Sequence, residues 1–154
     1  MQFYEDREPG RIERFGAYQV TREEVLDFAR KYDPQPFHLD DAAAAETHFG
    51  RLAASGWHTC AMTMAMLVAH WQAAGYRGLG SPGIDELRWL RPVFPGDVLS
   101  VESELLTKRR SQTRPERGII RSASRTLNQH GEVVLTMVSN GMVMVRDPAA
   151  PIRA

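Results

Sequence analysis

The sequence predicts an α+β domain in which one long helix is wrapped by a curled antiparallel sheet. Residues 52–76 contain no Asp, Glu, Lys or Arg, as expected of a helix that other elements enclose. From residue 84 onward, runs of strand-forming residues alternate with turn signals. The chain has 154 residues, 43% hydrophobic and 25% charged, which suits one domain with a substantial core. We expect that domain to span residues 1–154, with about ten N-terminal and about eight C-terminal residues loosely attached.

The first elements are an N-terminal strand, expected around residues 15–20, and a helix that begins after Thr21. The run Thr21-Arg22-Glu23-Glu24 has the pattern of a capping box, in which the first hydroxyl accepts from a first-turn amide and the last carboxylate reaches back. Pro34 disfavours helical geometry at the residue before it, so the helix should end at about Tyr32. Asp33 then lies just beyond its C-terminal end.

Two more helices are expected before the strands. A short helix through residues 42–47 can be capped by Asp40 or Asp41. Ser55-Gly56 opens the long helix and Gly75 can close it, and its methionines and alanines suit a helix enclosed nearly all round. The segment is long enough to cross a membrane, but its many Ser, Thr and His side chains would be costly in hydrocarbon. We therefore expect no membrane partner.

Four strands are expected after the long helix. Leu99, Val101, Ser103 and Leu105 alternate along the second of them and should share one face of the sheet. The connections carry Pro, Gly and Asn, and the last one, Asn128-Gln129-His130-Gly131, is typical of a hairpin turn. The expected strands span residues 84–93, 98–107, 119–127 and 133–145.

The charge balance and the single cysteine exclude several classes of function. Nineteen basic and nineteen acidic residues give zero formal net charge, so we expect no nucleic-acid partner, and any anionic ligand needs a local patch. Cys60 alone can form neither an internal disulfide nor a Cys-x-x-Cys metal site. His38, His48, His58 and His70 lack the His-x-x-x-His spacing, so we expect no metal. With no apolar secretion signal at the N-terminus, a reducing, cytoplasmic location is the natural expectation.

Asp33 and His38 are the first candidates for chemistry. Pro34 and Pro36 fix φ at two positions between them and should present both side chains on a rigid turn. The negative end of the preceding helix should raise the pKa of the Asp33 carboxyl if burial acts in the same direction, and the imidazole can supply the matching acid. The alternative, a simple helix stop followed by a satisfied core histidine, stays open.

The start of the long helix is the second candidate. Ser55-Gly56-Trp57 brings small residues and free backbone amides to the positive end of a helix dipole, which suits an oxyanion. Gly56 has no side chain, so a carbonyl oxygen could approach its N–H closely. The alternative is that Ser55 is only a helix cap and Gly56 a packing residue. An acid/base pair combined with amide donors suits proton transfer next to a thioester carbonyl.

These two segments resemble the MaoC-like dehydratases, relatives of the (R)-specific enoyl-CoA hydratases. The resemblance extends over about residues 18–145. It implies the hot-dog fold, in which a curled antiparallel sheet wraps a long helix, and assembly as a homodimer or higher homo-oligomer. The segments that carry it are Asp33-Pro34-Gln35-Pro36-Phe37-His38-Leu39-Asp40, Phe49-Gly50-Arg51-Leu52-Ala53-Ala54-Ser55-Gly56-Trp57-His58-Thr59, Leu90-Arg91-Pro92-Val93-Phe94-Pro95-Gly96-Asp97 and Arg114-Pro115-Glu116-Arg117-Gly118.

By this resemblance, Asp33 and His38 are the catalytic pair and the Gly56 amide is the oxyanion donor. The reaction would be the reversible addition of water to a trans-2-enoyl-CoA, giving an (R)-3-hydroxyacyl-CoA. Coenzyme A would enter as part of the substrate, and we expect no separate cofactor. The side chains expected to contact the substrate are Ser55, Trp57, Gln35, Arg88 and Arg91, with Arg114 and Arg117 as further candidates for the CoA phosphates.

Two departures from the family pattern leave the acyl group open. Gln35 stands where hydratases commonly have Asn, and Ser55 stands where many relatives have His. Two other functions stay open as well: hydrolysis of an acyl-CoA thioester on the same fold, and binding of an acyl-CoA without turnover.

Overall fold

The computed structural model describes residues 1–151, and within them the α+β prediction is confirmed. The chain begins with strand β1, continues through three helices and ends with four strands. The helices are α1 (Arg22–Tyr32), α2 (Asp41–Ala45) and α3 (Gly56–Ala74), with 3-10 turns at Tyr4–Asp6 and Pro36–His38. The strands are β1 (Ile12–Gln19), β2 (Gly78–Trp89), β3 (Val98–Arg110), β4 (Arg117–Leu127) and β5 (Val133–Met144).

The five strands form one antiparallel sheet in the order β1-β3-β4-β5-β2, so β1 and β2 are its edges. The expected alternation in β3 is present, since Leu99, Val101 and Leu105 are all buried. Val101 is in register with Thr126 of β4, which is in turn in register with Leu135 of β5. Because side chains alternate between the two faces of a strand, these rows form the surface on which α3 packs.

The core lies between α3 and this face of the sheet. Met62, Met66 and Leu67 of α3 are buried there, as their spacing of about one helical turn allows. The buried cluster consists of Val20, Val25, Leu52, Ala54, Met62, Met66, Leu67, Val93, Leu99, Val101, Val134, Leu135 and Met137. None of the helices within residues 1–151 combines the length and the apolarity that a membrane crossing requires.

The expectation that the long helix is enclosed nearly all round is wrong for the single chain. Trp57, Met64, Val68 and Trp71 of α3 are 37% to 58% exposed. The sheet covers one side of the helix, and the opposite side faces outward because no other described element packs over it. An uncharged helix therefore presents an apolar stripe on the surface, which calls for an explanation.

The helix ends follow the predicted residues with one difference. The Thr21 hydroxyl accepts from the Glu24 N–H at 3.2 Å and caps α1, as predicted. The Glu24 carboxylate does not complete the capping box; it accepts from the Tyr18 hydroxyl at 2.7 Å instead. Of the two candidate caps for α2, Asp40 is the cap, and Gly75 ends α3 with φ of 71°.

Strand β2 begins earlier than its prediction at residue 84. Gly78, Gly80, Pro82 and Gly83 indicate a loop when the sequence is considered alone. In the fold these residues pair with β5 through a ladder interrupted by register shifts. Such residues are tolerated because β2 is an edge strand, where missing donors and bulges can face away from the sheet.

Residues near both chain ends make specific hydrogen bonds, and the loose attachment of the terminal segments stays a prediction. The Gln2 N–H donates to the Gly75 carbonyl at 2.7 Å, and the Arg77 N–H donates to the Gln2 carbonyl at 3.0 Å. Near the other end, the Arg110 guanidinium donates to the Ala150 carbonyl at 2.8 Å. Residues 152–154, which belong to the C-terminal segment expected to be loose, lie outside the described residues.

Thr63 of α3 and Thr126 of β4 form a buried hydroxyl pair that ties the helix to the sheet, with 2.7 Å between their Oγ1 atoms. Both side chains are fully buried. Thr63→Val leaves the Thr126 hydroxyl buried without this partner, so we expect the free energy of unfolding to fall by about 1–3 kcal/mol in urea titrations. The double variant Thr63→Val/Thr126→Val removes both hydroxyls and should lose less. A double variant no more stable than Thr63→Val would contradict this account.

Candidate active site

A cleft of about 470 Å³ lies between the segment that follows α1 and the N-terminus of α3. It is open to solvent and mixes polar and aromatic walls. Its lining residues are Asp33, Gln35, Phe37, His38, His48, Phe49, Ala54, Gly56, Trp57, Thr59, Trp89, Leu90, Arg91, Pro92 and Val93.

Asp33 and His38 lie in this cleft because α1 ends where the sequence predicts. The Asp33 N–H still donates to the Ala29 carbonyl at 3.0 Å, but its φ of −149° has left the helix. The Gln35 N–H donates to the Asp33 carbonyl at 2.8 Å, and a single 3-10 turn, Pro36–His38, follows. The two proline rings restrict this turn, so both functional side chains are presented by a short, stiff segment.

The imidazole of His38 is buried and oriented by the backbone. Its Nδ1 lies 2.7 Å from the Ala53 carbonyl oxygen. A carbonyl oxygen can only accept, so Nδ1 carries the hydrogen and the neutral ring presents a lone pair at Nε2. Nε2 lies 3.5 Å from Asp33 Oδ2. That distance is too long for a good hydrogen bond, and it allows one water molecule to donate to both atoms.

The Asp33 carboxylate receives two short hydrogen bonds, and they decide its pKa. The Ser55 hydroxyl donates to Oδ2 at 2.6 Å, and the Gln35 side-chain amide donates to Oδ1 at 2.7 Å. Burial raises the pKa of Asp33, but the two hydrogen bonds, with a smaller contribution from the imidazole of His38 in its protonated form, together lower it below the ordinary value. The expectation of a raised pKa is therefore wrong, because the carboxylate accepts from Gln35, two residues away, and from Ser55, which only the fold brings near.

The N-terminus of α3 forms the other side of the cleft. Ser55 caps the helix, since its hydroxyl oxygen accepts from the Trp57 N–H at 3.2 Å. The Gly56 N–H occupies the first helical position, where no carbonyl of the same helix can accept, and no acceptor for it is found among residues 1–151. This N–H is available to a ligand oxygen in the cleft.

Gly56 also has a packing role, as the alternative interpretation of the sequence expected, and its partner is Trp89. Its carbonyl accepts from the Trp89 indole N–H at 2.8 Å. A Cβ atom built on Gly56 would lie 2.7 Å from Trp89 Cε2, closer than ordinary contact. Trp57 stacks edge-on against Trp89 with ring centroids 5.1 Å apart, and the two indoles form an aromatic wall of the cleft. Both interpretations of Gly56, as amide donor and as packing residue, thus have structural support.

The predicted arginines divide between the cleft and the outer surface. Arg91 lines the cleft, with its guanidinium 3.5 Å from a Glu132 carboxylate oxygen. Arg88 is exposed and does not line the cleft. Arg117 is the first residue of β4, with its Nε 3.2 Å from a Glu116 carboxylate oxygen. A role for any of them in binding phosphate stays a prediction.

Other reactive residues of α3 lie away from the cleft. His58 is buried and stacked on Phe28, and burial lowers its pKa. Burial raises the pKa of the Cys60 thiol, so a nucleophilic thiolate is disfavoured. Within residues 1–151, no group of three or more His, Cys, Asp or Glu side chains is placed to hold a metal ion.

A second cavity, of about 450 Å³, lies along the C-terminal half of α3 and shares no lining residue with the cleft. It is more apolar, and it contains another carboxylate and imidazole: Glu13 Oε1 lies 3.5 Å from His70 Nε2. The Tyr76 hydroxyl donates to the same carboxylate at 2.7 Å. No sequence spacing could have revealed this group, because Glu13 on β1 meets His70 on α3 only in the folded chain.

The cleft is the better candidate for chemistry despite the similar distance in the second cavity. His38 is oriented by a carbonyl at Nδ1, whereas His70 Nε2 has no hydrogen-bond partner among the described residues. The cleft also holds the N-terminal amides of α3, and the second cavity lies at the opposite half of that helix. Proton transfer beside an oxyanion needs an oriented imidazole and nearby amide donors. Among residues 1–151, the cleft is the cavity that has both.

Comparisons with known proteins show the family and the fold of the chain. A family model described as MaoC like domain matches residues 7–125. The structure of a MaoC-like dehydratase from Rhodospirillum rubrum is similar with a TM-score of 0.84 and 40% sequence identity, covering 96% of this chain and 99% of that one. An R-hydratase from Pseudomonas aeruginosa is similar with a TM-score of 0.68 and 26% identity, covering 99% of this chain and 95% of that one.

One further relative bears a substrate in its name. Mesaconyl-CoA hydratase from Cereibacter sphaeroides is 45% identical over 69 residues, which are 45% of this chain and 20% of that protein. The chain therefore matches only a fifth of that hydratase.

Proposed function

The chain belongs to the MaoC-like dehydratase family and has the hot-dog fold, and on that premise we propose that it adds water reversibly to a trans-2-enoyl-CoA, giving an (R)-3-hydroxyacyl-CoA. The observation that carries the proposal is the pair His38 Nε2 and Asp33 Oδ2, 3.5 Å apart at the amide end of α3. The hydratase names of relatives support the same reaction class.

In the proposed mechanism the pair binds the attacking water. The lone pair of His38 Nε2 and the ionised Asp33 Oδ2 each accept one hydrogen from it, which leaves an oxygen lone pair directed at the substrate. The lowered pKa of Asp33 suits this role, because the carboxylate stays ionised over the whole neutral range.

The imidazole of His38 carries both proton transfers. The water oxygen bonds to the β-carbon of the enoyl group while a water proton moves to His38 Nε2. Asp33 stabilises the imidazolium that forms, and His38 delivers a proton to the α-carbon. In the reverse direction the same groups remove the α-proton and release water.

The enolate that forms between these steps needs a donor at the thioester oxygen. The Gly56 N–H is free of a helical acceptor, lines the cleft and lies at the positive end of the α3 dipole. We assign it the oxyanion role. We assign Trp57 and Trp89 as the aromatic wall beside the acyl group, and Arg91, which lines the cleft, as the contact for a CoA phosphate.

A spectrophotometric hydration assay over enoyl-CoA substrates of different lengths and branches tests the proposal. Loss of the conjugated thioester absorbance with at least one substrate is expected, and chiral analysis should give the (R)-alcohol. Release of free CoA from saturated acyl-CoA, unaffected by loss of His38, would instead support a thioesterase. Binding of CoA esters without turnover at any chain length would support a binding module.

We also propose that two copies of the chain associate through β2 and the exposed stripe of α3. Met64, Val68 and Trp71 of the stripe and Ile84 of β2 are apolar and exposed, and all four line the second cavity. These residues of the helix and of the edge strand line the same cavity, so one two-fold contact would cover both and close that cavity.

Light scattering at micromolar concentration is expected to give about twice the chain mass of 17.4 kDa. Ile84→Lys should shift the protein toward a monomer, because a charge would be buried in the proposed contact. Ile12→Lys is the matched control: Ile12 is equally exposed but lies on the opposite edge strand, β1. A monomeric parent chain, or equal dissociation by both substitutions, would contradict the proposed contact.

A further inference from the structure

Ser55 contacts both halves of the candidate active site. Its hydroxyl donates to Asp33 Oδ2 at 2.6 Å and accepts from the Trp57 N–H at 3.2 Å. A hydroxyl has one hydrogen and two lone pairs, so both bonds can exist together. The side chain is fully buried and does not line the cleft, so a bound substrate has no route to it.

From this geometry we infer that Ser55 is a positioning residue, which holds the Asp33 carboxylate in its reactive orientation against the N-terminus of α3. The inference rests on the proposed function, since it gives the Asp33 orientation a catalytic purpose. It also assigns Ser55 a role different from the substrate contact that the sequence suggested.

The orientation of the carboxylate depends on both of its oxygens. Ser55 occupies one acceptor position of Oδ2, and Gln35 occupies one of Oδ1 at 2.7 Å. A carboxylate offers about four acceptor positions, so each oxygen retains one for other donors. Rotation about the Cβ–Cγ bond would break both bonds at once. Oδ2 therefore stays directed at His38 Nε2, which lies 3.5 Å away.

Ser55 also links the two catalytic elements in space. As the cap of α3 it fixes the position of the first helical amide, that of Gly56, relative to its own hydroxyl. The same hydroxyl fixes Asp33. Ser55 thus sets the distance between the Asp33 carboxylate and the Gly56 amide. A misplacement of about 1 Å in such a site can lower a rate by about 100-fold.

The bond from Ser55 also favours the ionised form of Asp33. Its loss should raise the pKa of that carboxyl, because a hydrogen bond to the charged form is removed. Few other groups in the cleft can change the pKa of Asp33. The other titratable or charged side chains that line the cleft are His38 from the 3-10 turn, His48 from the segment after α2 and Arg91 from the segment after β2. The residues that α3 contributes, Gly56, Trp57 and Thr59, are uncharged.

The activity test compares Ser55→Ala with two other changes. Ser55→Ala should lower kcat by about 10- to 100-fold, the range for a hydrogen bond to a charged group, with KM much less affected. The acidic limb of its pH profile should move to higher pH, and Ser55→Thr, which keeps the hydroxyl, should restore it. Thr21→Ala removes the comparable cap of α1 and should change neither quantity. An unmoved limb in Ser55→Ala, or equal effects in Thr21→Ala, would overturn the inference.

If Ser55→Ala does not fold, Ser55→Gly serves instead. Glycine is tolerated as a helix cap at a cost of only a few tenths of a kcal/mol relative to serine, yet it lacks the hydroxyl. The expected losses of kcat and the shift of the acidic limb are the same. A Ser55→Gly variant with unchanged kcat and pH profile would equally overturn the inference.

A stability measurement separates failure of this inference from failure of the proposed reaction. The folded-state pKa of Asp33 is lowered, so its contribution to stability is present at neutral pH and is lost as pH falls through that pKa. The difference in unfolding free energy between the parent chain and Ser55→Ala should therefore shrink on acidification. In an Asp33→Asn background this pH dependence should vanish. If this pH dependence is found in a chain that has no hydratase activity, the proposed reaction is refuted and the Ser55–Asp33 hydrogen bond is supported. If the difference in unfolding free energy does not depend on pH, the role of the Ser55–Asp33 hydrogen bond is refuted.

Discussion

His38→Ala is expected to lower kcat for enoyl-CoA hydration by about 10²- to 10⁴-fold, the range for a positioned acid/base group. Removal of the imidazole leaves the attacking water without the Nε2 acceptor and the α-carbon without its proton donor. In the proposed mechanism the substrate still contacts the aromatic wall of Trp57 and Trp89, so KM should change far less. Initial rates under saturating and limiting substrate measure the two effects separately.

His48→Ala is the matched control, because His48 lines the same cleft and packs on Phe49 but is not among the hydrogen-bond and ion-pair partners of the Asp33 carboxylate in the described residues. It is expected to lower kcat much less than His38→Ala does. His38 is buried and donates to the Ala53 carbonyl, so a circular dichroism melt must show that His38→Ala is folded. Turnover close to that of the parent chain in folded His38→Ala would refute the proposed mechanism.

Asp33→Asn is expected to have the second large effect, a loss of about 10²- to 10⁴-fold in kcat. The amide is nearly the same size but carries no charge, so it neither accepts strongly from the water nor stabilises the imidazolium of His38. The parent chain should retain activity to lower pH than an ordinary Asp would allow, because the pKa of Asp33 is lowered. In Asp33→Asn the acidic limb due to this group should disappear. A pH profile of kcat/KM for both proteins measures it.

The double variant Asp33→Asn/His38→Ala checks that the two residues act as a unit. Groups that share one proton-transfer step give strongly non-additive losses, so the double variant should be little slower than the slower single variant. Losses that multiply would indicate independent roles. Asp27→Asn, a substitution of the same kind on the exposed surface of α1, should leave the rate unchanged.

Features that depend on neighbouring residues could be predicted from the sequence. Thr21 caps α1, Gly75 ends α3, and Asp33 lies just after a helix, because each depends on backbone geometry within one or two turns. The spacing of Asp33 and His38 is also local, and two prolines between them restrict the chain. The segment that presents Asp33 and His38 could therefore be predicted from the sequence alone.

Features that depend on distant segments were not predicted, or were predicted wrongly. The pKa of Asp33 was expected to be raised because the helix-end dipole is visible in the sequence, whereas the donor Ser55 belongs to another segment. Glu13 and His70 meet only when β1 packs against α3. The start of β2 was placed too late because Gly78 and Pro82 indicate a loop unless the position of the strand at the sheet edge is known.

By itself the sequence determined the α+β class, the order of elements, the place of Asp33 just after α1 and the start of α3 at Gly56, since these follow from short-range periodicity and turn chemistry. The catalytic roles of Asp33, His38 and Gly56 were suggested by the resemblance to the MaoC-like dehydratases and stay a proposal. Only the tertiary structure decided that Ser55 holds Asp33, that the carboxylate is ionised more readily rather than less, and that α3 leaves a stripe uncovered. The physical reason is range: dihedral preferences act between neighbours, whereas hydrogen bonds and burial act between whichever residues the fold brings into contact.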